Sequence, residues 1–208
     1  ILARTSLAGT QPSVSYMILG SRNVPPCASE YGDHLASVTH RNHRCTGSNI
    51  LKIALIIGST RANRFADTPA RWLLEGAESR TDMQVETLDL RDQGLTFFDE
   101  AVPPGFTGGV YSNAAAEAWR HKIGACDGYI VTGAEYNHGP TAVLKNALDS
   151  AFVEWRRKPI GFIGYGGVGG ARAIEQLRGV AIELQMAPIK AEVNIAMEPF
   201  LGVLTQGR

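Results

Sequence analysis

Three short segments of this chain hold the residue types from which chemistry can be built. The first, Gly58-Ser59-Thr60-Arg61-Ala62-Asn63-Arg64, puts a glycine, two hydroxyls, an amide and two arginines into seven positions. Glycine allows a close turn, hydroxyl and main-chain N–H groups donate hydrogen bonds, and the arginines neutralise negative charge, so the segment suits a phosphate. It is not a Walker loop, because Gly-Lys-Ser/Thr is missing. An ordinary turn with solvated arginines is the plainer alternative. The density of donors favours the phosphate, and the molecule that carries it stays open.

The second segment, Thr132-Gly133-Ala134-Glu135-Tyr136-Asn137-His138-Gly139-Pro140-Thr141, is too polar and too rich in turn formers to be core. Tyr136 offers a flat surface with a polar tip, and Asn137 with nearby N–H groups suits the hydrogen-bonding edge of a planar heterocycle. Glu135 and His138 have the form of an acid/base pair, although a carboxylate that braces the loop beside an exposed imidazole is the reading we favour. The third segment, Gly164-Tyr165-Gly166-Gly167-Val168-Gly169-Gly170, has five glycines in seven positions. Such a loop lets main chain approach a ring closely, with Tyr165 alongside. Gly164, Gly166 and Gly169 also satisfy G-x-G-x-x-G, which keeps a Rossmann dehydrogenase as an alternative. That fingerprint belongs in a first strand-to-helix turn, however, and here the first turn carries the Ser/Thr/Arg segment.

The elements that must position these segments alternate regularly from Ile50. Ile53 to Ile57 is a continuous apolar run, as in a strand buried on both faces of a parallel sheet. Thr68 and Pro69 open a helix with Trp72, Leu73 and Ala77 on one face. Val85, Leu88 and Leu90 form a second strand, and a glycine- and proline-rich loop leads to a helix from about Ser112 to Ile123. Tyr129 to Thr132 is the third strand. A helix from Val143 to Trp155 follows, then a fourth strand over Ile160 to Ile163. Ile174, Leu177, Ala181 and Leu184 mark another helix, and Ile189, Ala191, Val193 and Ile195 alternate as a fifth strand. This order predicts an α/β fold, a flavodoxin-like doubly wound five-stranded parallel sheet of order 2-1-3-4-5, in which ligands bind at the carboxyl ends of the strands. The residues after Ile195 include Pro199, Gly202 and Gly207, so the closing C-terminal helix is expected to be missing and the chain reads as a fragment.

Residues 1–49 read differently, as a disordered or non-native extension ahead of a domain over 50–208. They mix Ser, Thr, Pro, Gly, Arg and His without a sustained period, and begin at Ile1 rather than Met. A targeting presequence is the sharper alternative, weakened by the want of an amphipathic face. His40, His43 and Cys45 lack a fourth zinc ligand at standard spacing. With 20 Lys+Arg against 20 Asp+Glu the chain has no general attraction for nucleic acid or an anionic membrane, which points to a small-molecule partner. Three cysteines without C-x-x-C spacing indicate a reducing, cytoplasmic setting. Cys126 reads as a small buried hydrophobe. Trp72, Trp119 and Trp155 read as packing residues, with Trp155 also a candidate for a subunit contact.

From Leu51 to about Gly207 the chain resembles the NADPH-dependent FMN reductases of flavodoxin-like fold, which include quinone, azo-dye and chromate reductases. The resemblance rests on Gly58-Ser59-Thr60-Arg61, on Glu135-Tyr136-Asn137-His138 with Leu144-Lys145-Asn146-Ala147-Leu148-Asp149, and on Tyr165-Gly166-Gly167-Val168-Gly169-Gly170-Ala171-Arg172. Ala134 stands where many members have Pro. The resemblance implies FMN and NADPH as cofactors. It places Ser59, Arg61 and Arg64, with Thr60 and Asn63 in the same loop, at the FMN phosphate. Glu135, Tyr136, Asn137 and His138 would border the isoalloxazine, and Tyr165, Gly166, Gly167, Val168 and Gly169 would wall its other side. It further implies a homodimer or homotetramer with the Val143 to Trp155 helix at the contact, and hydride transfer from NADPH to flavin N5. Electrons would then pass to a flavin, quinone, azo or metal-oxyanion acceptor by ping-pong, with no catalytic side chain needed. A flavodoxin-type electron carrier is the rival reading, and the neutral charge argues against it.

Overall fold

A computed structural model describes residues 50–206. The readings of residues 1–49, including His40, His43 and Cys45, lie outside the described residues. The elements run β1 (Leu51–Ile57), α1 (Asp67–Ala77), β2 (Met83–Asp89), a 3-10 turn (Leu90–Asp92), α2 (Ala114–Gly124), β3 (Gly128–Ala134), α3 (Ala142–Asp149), β4 (Pro159–Tyr165), α4 (Ala171–Glu183), β5 (Ala187–Ile195) and α5 (Met197–Gln206). All neighbouring strands are parallel and their order is β2-β1-β3-β4-β5, as the alternation of apolar runs predicts.

Strand β1 is an interior strand, between β2 and β3, and its residues alternate between two cores. Ile53, Leu55 and Ile57 face α1 together with Phe65, Leu73, Ile130 and Ile163. Ala54 and Ile56 face the opposite layer, with Trp119 and Ile123 of α2, Leu144 and Leu148 of α3, and Ile174 and Leu177 of α4. Helices therefore cover both faces, because a right-handed crossover between parallel strands lays each helix back on the sheet.

Two boundaries differ from the sequence reading. The closing helix exists. Pro199 is the third residue of α5, inside the first turn, where a missing N–H breaks no helical bond, so it starts the helix rather than preventing it. Phe200 packs against the α1-side core, which offsets the weak helix propensity of Gly202. The second difference is α3, which ends at Asp149 rather than Trp155. The Ser150 hydroxyl donates to the Asn146 carbonyl, 2.7 Å, and the chain then turns inward. Trp155 is wholly buried among core residues, so it is no subunit contact. Its Nε1 donates to the Leu148 carbonyl, 3.1 Å, and its ring lies edge-on to Tyr129 and Trp119 at 4.7 and 6.1 Å. Cys126 is buried and free, as expected. Among the described residues no helix is long and apolar enough to cross a membrane.

Truncating Trp155 deletes this packing and leaves a cavity that the surrounding helices cannot fill. Trp155→Ala should lower the unfolding free energy by about 3–5 kcal/mol. Urea unfolding of the two proteins measures it, and a loss below about 1 kcal/mol would contradict the core placement.

Candidate functional site

At the carboxyl end of the sheet the loops after β1, β3 and β4 come together, and polar contacts fix how they meet. The Gly58 N–H donates to the Thr132 carbonyl at 3.1 Å, which presses the first loop onto the end of β3. A side chain at Gly58 would collide with that carbonyl. Thr141 caps α3 by accepting the Leu144 N–H, 3.2 Å, and its hydroxyl donates to the Gly58 carbonyl, 2.5 Å. The buried Ser59 hydroxyl meets the Tyr136 hydroxyl at 3.1 Å.

The β3 loop closes as a two-residue turn. Tyr136 and Gly139 exchange main-chain hydrogen bonds of 2.9 and 3.1 Å, and both intervening residues, Asn137 and His138, have positive φ, 50° and 70°. That is the geometry of a type I′ hairpin turn. Arginine 172, in the first turn of α4, holds the loop from the side. Its N–H and Nε donate to the two oxygens of Glu135, 3.1 and 2.6 Å, and its Nη1 lies 2.8 Å from His138 Nε2. Glu135 has a carboxylate only 3% exposed. It therefore ties the loop to α4, in agreement with the bracing alternative. Gln176 completes the attachment by donating to the His138 carbonyl, 2.7 Å.

In the β4 loop, several glycines have an internal reason to be there. Gly170 begins α4 with φ 75°, and a Cβ there would lie 2.6 Å from the Tyr165 nitrogen. Gly169, at φ 70°, is pressed against Asn194 of β5. The loop is thus packed down on β4 and β5, and only part of its glycine content is left to face a ligand.

Between the three loops lies a cleft of about 260 Å3 lined by Ser59, Arg61, Asn63, Arg64, Glu135, Tyr136, Tyr165, Gly166 and Gly167, together with Phe65 and Phe200. A second cleft of about 450 Å3 shares Arg61 and Tyr136 with the first and adds Thr60, Phe97 and the start of α3. Asn137, His138, Val168 and Gly169 line neither. Phe65, Tyr165 and Phe200 form an aromatic cluster with ring centres 5.0, 5.1 and 6.1 Å apart. The sequence reading missed both phenylalanines. Phe65 lies in the run before α1, and Phe200 belongs to the helix judged absent.

The two loop arginines differ. Arg61 is exposed and stands over the Tyr136 ring, 5.7 Å from its centre. Arg64 is almost fully buried and turned to Asp67 and Asp89. These hydrogen bonds, that with Asp89 first, hold the Arg64 guanidinium more firmly protonated than usual. Burial alone would push the Asp89 carboxyl up. Hydrogen bonds from Arg64 and the Arg91 N–H, with the charge of both arginines, outweigh that and hold it below the usual carboxylate range.

The family model of the NADPH-dependent FMN reductases matches residues 51–199. The chain belongs to this family. It is an oxidoreductase, and FMN and NAD(P)H are the cofactors of its family. An NAD(P)H-dependent FMN reductase of Schizosaccharomyces pombe is 38% identical to this FMN reductase homologue over 139 residues, 66% of this chain and 70% of that protein. A 2-hydroxy-1,4-benzoquinone reductase of a Burkholderia species is 33% identical over 143 residues, 65% of this chain and 73% of its own length. In three dimensions the chain superposes on a flavoenzyme NAD(P)H:(acceptor) oxidoreductase of Paracoccus denitrificans with a TM-score of 0.58 at 19% identity, covering 76% of this chain and 93% of that one. At that identity the likeness speaks for the shared fold. The Rossmann alternative falls, since the glycine fingerprint follows β4 and not β1.

The residues of the cleft fit FMN. The main-chain N–H groups of Thr60 and Ala62 meet no acceptor among the described residues, and Arg61 makes no ion pair there, as a phosphate requires. Among the described residues the buried Tyr165 hydroxyl has no hydrogen-bond partner, and the Ser59 hydroxyl beside it is committed to Tyr136. Burial pushes the Tyr165 phenol up, so it keeps a proton to donate.

Since Asp89 titrates lower in the folded chain than in the unfolded one, its ion pair stabilises the fold above the unfolded value and is lost as pH falls through the folded one. The melting temperature of Asp89→Asn should therefore lie below that of the parent at pH 7, and the gap should close below about pH 4. Thermal melts across that range read it, and a gap independent of pH would contradict the ion pair.

Proposed function

We propose that the first cleft binds FMN with its phosphate at the loop after β1, and that the protein is an FMN-dependent NAD(P)H oxidoreductase with a small planar electron acceptor. The observation that carries this is an Arg61 guanidinium that is unpaired among the described residues, beside main-chain N–H groups without acceptors there, in a cleft whose other wall is aromatic. Ser59, Thr60, Arg61 and Asn63 meet the phosphate, with Arg64 behind them. Glu135, Tyr136, Asn137 and His138 frame one edge of the ring system, and Tyr165, Gly166, Gly167, Val168 and Gly169 frame the other. Bound FMN supplies two-electron chemistry, accepting a hydride from NADPH and passing electrons on to a second molecule.

The chain's own side chains bind, orient and shield, and none is asked to move a proton. The second cleft, open beside Tyr136 and bounded by Phe97, has room for a flat molecule next to the first. A quinone suits it, as does the name of the Burkholderia relative. Flavins, azo compounds and metal oxyanions are further candidates, and a shared site for donor and acceptor gives ping-pong kinetics. The working unit is a homodimer or homotetramer in a reducing, cytoplasmic setting. Helix α3 presents the exposed Lys145–Asp149 pair, 2.7 Å, to a partner, and Phe97, Phe106 and Val110 of the preceding long loop are exposed as well.

The visible spectrum of the purified protein, before and after NADPH without oxygen, tests the reading. Flavin bands that bleach are expected. Bands that persist would leave an electron carrier, and a protein that takes up no FMN would overturn the proposal. Arg61→Ala should weaken FMN binding roughly tenfold or more, since a charge-assisted hydrogen bond contributes about 1.5–3 kcal/mol and about 1.4 kcal/mol is a factor of ten. Fluorescence quenching of FMN on titration measures it.

A further inference from the structure

Arg64 was expected at the phosphate, but its donors are already spent. Its Nε donates to Asp67 Oδ1, 2.8 Å, and its Nη1 to Asp89 Oδ1, 2.7 Å, and to the Ser59 carbonyl, 2.6 Å. Its Nη2 takes Asp89 Oδ2 and stands 2.6 Å from Asp67 Oδ1. A guanidinium has five N–H bonds; four of them make these hydrogen bonds, and the Nη2 group is further held by the Asp67 charge. Two carboxylates also face this one cation, so its charge is already neutralised before any anion arrives. Arg61, by contrast, has no carboxylate against it among the described residues.

A second arginine holds the same loop. Arg91 donates its N–H to Asp89 Oδ1, 2.9 Å, and its Nη2 to the Arg61 carbonyl. Asp89, at the end of β2, thus anchors both arginines, and each arginine grips one carbonyl of the loop. In a trans peptide the C=O and the following N–H point in opposite directions. Pulling the Ser59 and Arg61 carbonyls toward the arginines therefore turns the Thr60 and Ala62 N–H groups away from them, and these two, like the other main-chain N–H groups from Ser59 to Arg64, have no acceptor among the described residues.

We infer that Asp89, Arg64 and Arg91 are positioning residues, a clamp that presents the amides of the β1 loop to the phosphate, while Arg61 alone among the loop arginines meets its charge. The inference rests on the reading that this loop holds the FMN phosphate. It differs from a direct role for Arg64 in the sign of one experiment. If Arg64 were a phosphate ligand held back by a competing carboxylate, removing that carboxylate would tighten FMN binding. If it is part of a clamp, removal loosens the loop and weakens binding.

The experiment is a fluorescence titration of the apoprotein with FMN and, separately, with riboflavin, which lacks the phosphate, at about 0.3 M salt to screen long-range charge. Asp89→Asn should weaken FMN binding by about tenfold and leave riboflavin binding unchanged, a split that a general loss of structure would not produce. Equal or tighter FMN binding overturns the clamp, as does an equal loss for riboflavin. Should Asp89→Asn fail to fold, Arg91→Gln serves, because Arg91 is exposed. It should weaken FMN by about threefold, again sparing riboflavin, and unchanged FMN affinity overturns the clamp. Arg61→Ala in the same titration separates the two readings. If it leaves FMN affinity unchanged, the phosphate assignment and the clamp both fall. If it weakens FMN while Asp89→Asn does not, the clamp alone falls.

Discussion

The end of β1 is held against the end of β3 by one main-chain hydrogen bond, from the Gly58 N–H to the Thr132 carbonyl, and by the Thr141 hydroxyl on the Gly58 carbonyl. The contact stands where the strand order reverses, β2 to one side of β1 and β3 to the other. At that point consecutive helices leave on opposite faces and the loops part, which opens a crevice. Without a Cβ at residue 58 the loops can approach closely enough for Ser59 to reach Tyr136 and for one cleft to collect residues from three loops.

Much of this was legible because local and global signals agree. An apolar run such as Ile53 to Ile57 has few alternatives to a strand buried on both sides, and the residue types of the β1 loop name an anion site before any fold is known. What could not be read was partnership across the chain. Whether an arginine meets a ligand or a carboxylate depends on where the end of β2 lies in space, and nothing at positions 61 and 64 tells their two fates apart. The same holds for the glycines after β4, where packing against Asn194 and Tyr165 makes demands that resemble those of a ligand. The closing helix escapes a sequence reading for a local reason. Pro199 breaks a helix interior but suits a first turn, and the anchor that repays Gly202, Phe200 against Phe65 and Tyr165, is distant in sequence.

The overall neutrality of the chain hides a local arrangement of charge. Arg64, Arg80, Arg120, Arg172 and Arg178 each stand against a carboxylate. Pairing removes their long-range field and turns them into struts, since a guanidinium offers several donors in fixed directions. Arg61 is set apart from these five by having only an aromatic ring beneath it. At the mouth of the first cleft this leaves the charge of Arg61 free to attract an anion.

The aromatic wall also has a bearing on biosynthesis. A chain leaves the ribosome from its N-terminus, so the loops after β1, β3 and β4 are made before β5 and α5 exist. Until Phe200 emerges, Phe65 and Tyr165 lack their third ring and the α1-side core lies open beside β5. The donors of the β1 loop are therefore synthesised early and the aromatic wall of the cleft is completed late. Enclosure of the cleft and completion of the α1-side core thus fall together, late in the birth of the protein.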